Sequence, residues 1–194
     1  MTQQVDIVQP LIVVLRQQGS RPLNELGALM ANTAADWQGC LDAMTEAQAC
    51  FHPPEGADID KPWSGEGPGW SAKEVIGHFL RSDRSLNQRI AEMAGLPPPV
   101  VEVPEVRAMG EQSTEDERQP IDELRRRLDA FFDDTKVLLS SVESRGVPNG
   151  ELSFAHPVFG PLTVTEWIAF HWLHTMDHLG QINSLKSAPG YPAA

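Results

Sequence analysis

The sequence predicts an all-α protein built as a four-helix bundle, and three observations carry that prediction. Four segments, at about residues 23–49, 72–95, 120–146 and 164–186, place apolar side chains three and four positions apart, which gives a helix one apolar face. Two of them open on capping-box spacing, Ser71 with Glu74 and Thr163 with Glu166. No stretch reads convincingly as a strand, and long helices without a sheet must bury their apolar faces against one another.

Residues 5–18 show a largely helical spacing that stops at Gly19, with Pro10 inside it. The first core helix is expected over residues 23–49, where Leu23, Leu26, Leu29, Met30, Trp37, Leu41 and Met44 mark its face, with a bend near Thr33. Residues 51–70 hold four prolines and four glycines and read as loop. Trp63 and the glycines of this loop either shape a pocket mouth or merely connect helices.

Ser71 then caps a second helix, which Val75, Ile76, Phe79, Leu80, Leu86, Ile90 and Met93 carry to Gly95 before three prolines stop it. Residues 96–119 are proline-rich and then acidic. At ~3.3 Å per extended residue they can cross the length of a bundle, which permits the second and third helices to run parallel. Pro120 suits the first turn of the third helix, extended by Ile121, Leu124, Leu128, Phe131, Phe132, Val137, Leu138 and Val142. Residues 154–161 form a structured loop rich in proline and glycine, and Thr163 caps the fourth helix.

A chain of 194 residues with 41% hydrophobic content fits one domain, residues 1–194, with 1–22 as an N-terminal extension and 51–70 and 96–119 as long loops. Fifteen basic against 27 acidic residues give a net charge of −12, which argues against nucleic acid or an anionic membrane as partner. A small-molecule substrate is expected instead. Cys40 and Cys50 make no disulfide framework and are expected to be buried and inert in a reducing, cytoplasmic setting. No early apolar run is long enough to span a bilayer.

The fourth helix carries His171, His174 and His178. At ~100° per residue all three share the stripe of Val164, Trp167, Ile182 and Leu185, so they face the bundle interior. Histidines four apart rise ~6 Å, a separation two imidazoles can close around one metal. His78, on the border between the apolar face of the second helix and a polar strip with Glu74, Arg81, Ser82 and Ser85, offers a third ligand. Three protein ligands leave coordination open, as in catalytic metal sites. The residues alone leave a second reading open, in which neutral imidazoles bond one another or a carbonyl in the core. A zincin protease is excluded because Thr175 stands where the glutamate should follow the first histidine, and a di-iron site lacks its inward glutamates.

Three blocks resemble the DinB/YfiT-like superfamily of metalloenzymes. They are Trp70-Ser71-x-x-Glu74-Val75-Ile76-x-His78-Phe79; His156-Pro157-Val158-Phe159-Gly160-Pro161-Leu162-Thr163; and Trp167 with His174-x-x-x-His178-Leu179-x-Gln181-Ile182. The likeness covers roughly residues 25–186. It implies an up-down-down-up bundle with a long crossover between helices two and three, a divalent metal (zinc or nickel) on His78, His174 and His178, and a homodimer. It also implies a low-molecular-weight thiol as co-substrate, as in bacillithiol S-transferases and mycothiol-dependent maleylpyruvate isomerase.

The expected function is therefore a metal-dependent enzyme that activates a thiol or water, a thiol S-transferase or a related transferase, isomerase or hydrolase. The rival is a non-catalytic metal- or ligand-binding stress-response bundle. Glu74, His171 and Gln181 are candidates for orienting a ligand, although Glu74 is also claimed by its helix cap. His52, in a loop, and His156, before a proline, are not assigned to the metal.

Overall fold

The computed structural model describes residues 8–57, 67, 69–97, 114–146 and 153–193. Helices α2 (Leu23–Leu41), α4 (Ala72–Met93), α6 (Ile121–Arg145) and α7 (Val164–Leu185) form the bundle. Around it lie α1 (Val8–Gly19), the short helices α3 (Glu46–Ala49) and α5 (Thr114–Arg118), and a hairpin of β1 (Phe154–His156) and β2 (Gly160–Leu162).

Both α6 and α7 pack between α2 and α4, on opposite sides. Gln38, late in α2, donates to Asp129, early in α6, at 2.9 Å, so these helices are antiparallel. Trp172 donates to Thr33 at 3.1 Å and Cys40 lies against Asn183, so α2 and α7 are parallel. His78 meets His178 while Asp83 meets His171, so α4 opposes α7. The order is up-down-down-up, as expected. Of the crossover, residues 98–113 lie outside the described residues; so does Trp63 in the 51–70 loop.

The core closes on aromatic rings. Trp37 stacks on Phe79 with centroids 5.0 Å apart, and Phe79 meets Phe131 edge-on at 5.3 Å. The buried indole N–H of Trp37 donates to the Thr175 carbonyl at 3.0 Å, which satisfies a donor that burial would otherwise leave costly.

Where the crossover returns, α5 lies directly on α4. A β-carbon at Gly77 would collide with the Asp116 carboxylate, so glycine is what permits the approach. Asp116 pairs with Arg81, and buried Lys73 pairs with Glu46 while donating to the Glu117 carbonyl at 3.0 Å. Glu46 also accepts from the Ile121 N–H at 3.0 Å, which ties the start of α6 to this corner.

Three expectations need correction. The helix expected over residues 23–49 ends at Leu41, because Asp42 turns extended, Ala43 takes φ +41°, and a capping box of Thr45 with Gln48 opens a separate helix. Residues 154–162 hold a two-stranded hairpin pairing Phe154 with Leu162; strands of three residues are too short for alternation to show. Cys50 is exposed and Cys40 half-buried, both as free thiols. The leader helix spans Val8–Gly19 and tolerates Pro10 because the first turn needs no N–H there. Among the described residues no helix is long and apolar enough to cross a membrane.

Candidate metal centre

Two capping boxes set the heights of the helices that meet here. On α4, Ser71 Oγ accepts from the Glu74 N–H at 3.3 Å and Glu74 accepts from the Ser71 N–H at 2.8 Å. On α7, Thr163 and Glu166 do the same at 3.4 and 2.8 Å. His78 then stands one turn above Glu74, opposite His174 and His178.

Ring nitrogens of His78, His174 and His178 lie within 4.8 Å of one another, and all three residues are buried. Ring centroids are 4.4 Å apart for His174 and His178, 4.9 Å for His78 and His178, and 6.0 Å for His78 and His174. Trp70 lies against His78 and Phe170 stacks on His174, so apolar faces enclose the cluster.

The neighbours decide which nitrogens point inward. Gln181 donates through Nε2 to the Gly67 carbonyl at 2.9 Å, which turns its amide oxygen toward His178 Nδ1, 3.0 Å away. His178 Nδ1 must therefore carry a proton. On the facing histidine, His174 Nδ1 donates to Asp83 at 2.9 Å. Both Nε2 atoms consequently face each other, at 3.0 Å. Burial, with the charges of His174 and His78, pushes the His178 pKa well below its ordinary value. Two imidazole lone pairs cannot face each other at that distance without a proton or a cation between them. The donor set, three imidazoles with two of their outer nitrogens tied to oxygen acceptors, fits a divalent metal.

Gly67 is essential to this arrangement. Its φ is +68°, and a β-carbon there would collide with Trp70 and crowd the Gln181 amide. Of the 51–70 loop, this residue therefore touches the site's support.

The other candidates separate. Gln181 lies against His178, its amide oxygen 3.0 Å from Nδ1. Glu74 instead faces His52 and Glu117, and its carboxylate is used by the cap. His171 is fully buried, 3.1 Å from Asp83 and against Phe131. His156 stays outside the cluster but near it, its ring 4.6 Å from Phe170. Its Nδ1 accepts from the Val158 and Phe159 N–H groups, and burial, then the charge of His174, lowers its pKa to about 4.

Sequence reasoning missed Asp83. The available signal was its register: Asp83 follows Ile76 and precedes Ile90 by seven residues each, so it sits in the apolar stripe of α4, where a carboxylate requires a partner.

A protein-family model, the DinB superfamily, matches residues 28–182. Among solved structures, YfiT from Bacillus subtilis, described as a probable metal-dependent hydrolase with an unusual four-helix bundle topology, superposes with a TM-score of 0.61. The two are 15% identical over 88% of this chain and 89% of that one, which makes the likeness one of fold. No curated protein matches the sequence. The family match runs from within α2 almost to the end of α7 and contains His78, His174 and His178; the chain belongs to the DinB superfamily.

Proposed function

We propose that His78, His174 and His178 are the protein ligands of a divalent metal, zinc or nickel, in an enzyme that acts on a small molecule. The observation that carries this reading is the pair of Nε2 atoms held face to face at 3.0 Å, each fixed from behind by Asp83 or Gln181. A divalent ion there supplies Lewis acidity and lowers the pKa of a thiol or water that reaches it. The chain's own residues bind and orient: Asp83 and Gln181 set the tautomers, while Trp70 and Phe170 keep water from the imidazole faces.

The reaction we favour is thiol S-transfer or a related thiol-dependent step, in line with the family resemblance. Hydrolysis is the second reading, favoured by the description of YfiT. We also propose that the chain acts as a homodimer, for which sedimentation should give twice its 21.4 kDa mass.

Metal analysis after incubation with zinc, nickel and manganese tests the site. One equivalent is expected for the wild type, with loss in His174→Ala. Absence of stoichiometric metal from the wild type would sink the reading. The loaded protein should then turn over a small thiol with an electrophilic acceptor, or a hydrolysable ester or amide. No metal-dependent turnover in either screen would leave a non-catalytic binding protein.

A further inference from the structure

Asp83 has no accessible surface, and its position on the apolar stripe of α4 puts a carboxylate where folding gains nothing from one. Burying a charge costs several kcal/mol unless partners compensate, and an apolar replacement is often neutral or stabilising. Among the described residues its ion-pair partners are both histidines of α7. Oδ2 accepts from His174 Nδ1 at 2.9 Å, and Oδ1 lies 3.1 Å from His171 Nε2. The Ser82 hydroxyl adds a contact at 2.9 Å.

His171 and His174 are three residues apart on one helix face, so one carboxylate spans both. His174 belongs to the three-histidine cluster; His171 does not. The two therefore do different things to Asp83. His174 donates to one carboxylate oxygen, and His171 lies beside the other at ion-pair distance, 3.1 Å, outside hydrogen-bond geometry.

We infer that Asp83 is a positioning residue of the metal centre, which keeps His174 in the tautomer that turns Nε2 toward His78 and His178, with His171 as the second anchor of Asp83. This rests on the proposed metal reading. A carboxylate behind a histidine ligand fixes the ring and raises its basicity, and its loss costs about 10–100-fold in metal affinity.

The test is a competition titration of metal-free protein with zinc against a chromophoric chelator, for the wild type and Asp83→Asn, with thermal unfolding of each metal-free protein alongside. Zinc affinity is expected to fall about 10–100-fold in Asp83→Asn, while the metal-free unfolding midpoint stays level or rises. A residue that merely supports the fold would lower that midpoint and leave the affinity of the folded protein alone. Affinity within twofold of wild type would overturn the inference while leaving the metal site standing. Failure of the wild type to bind any of zinc, nickel and manganese would overturn both. If Asp83→Asn does not fold, His171→Gln serves: a severalfold loss of zinc affinity supports the anchoring role, and none overturns it.

Discussion

His52 offers both ring nitrogens to acceptors, Nδ1 to the Gly69 carbonyl at 2.9 Å and Nε2 to Glu117 at 2.6 Å, and neither acceptor can donate in return. Each nitrogen must carry a proton, so the ring is an imidazolium. Burial opposes this, but the hydrogen bonds His52 donates to Gly69 and Glu117 and the charges of Glu74 and Glu117 outweigh it and raise the pKa. A histidine raised in the folded state stabilises fully below its unfolded value, ~6.5, and loses that contribution as pH rises through the folded value. His52→Gln should thus be less stable than wild type at pH 5.5, by under about 1 kcal/mol because the side chain is partly exposed. The gap should close by pH 9; an equal gap in urea denaturation at both pH values would refute the charge argument. His156 has the opposite sign. With a folded pKa of about 4, the unfolded chain takes up its proton first, so stability falls as pH drops from ~6.5 toward that value. An NMR titration should place its midpoint near 4 and below that of His52.

At the scale of elements, the capping boxes of α4 and α7 position the site as well as start the helices. Ser71→Ala removes an acceptor at a buried helix start and should cost ~1 kcal/mol, read by chemical denaturation. Zinc affinity should fall less than in His174→Ala, because the α4 stripe still packs. Gly77→Ala should be worse than its helix propensity suggests, since the new methyl meets the Asp116 carboxylate that pairs with Arg81. We expect a loss of about 1–3 kcal/mol from overpacking, and faster amide exchange in α5. A stabilised variant would show that α5 does not rest on α4 as described.

At the scale of the molecule, Trp37 ties α2 to both neighbours of the site: it stacks on Phe79 of α4 and donates to the Thr175 carbonyl between His174 and His178. Trp37→Ala should cost ~3–5 kcal/mol and weaken zinc binding although it touches no ligand. Metal binding should in turn raise whole-chain stability by ~4 kcal/mol at a thousandfold excess over Kd. That increase should vanish in His178→Ala.

What the sequence determined by itself was local and periodic. The stripe of α7 placed its histidines inward, the Ser71 and Thr163 boxes started two helices where they start, and the length of residues 96–119 made parallel neighbours possible. Periodicity failed where elements are short, as in the hairpin holding His156, and where a second cap cut α2 at Leu41. Only the tertiary structure decided which buried polar groups meet: that Asp83 lies behind His174, that Gln181 and Gly67 fix His178, and that Glu74 faces His52. Spacing along a helix fixes the face a side chain occupies, but partners across helices depend on how the helices are stacked and shifted against one another. At this centre those shifts turn a histidine pair with ambiguous protons into two nitrogens aimed at one point.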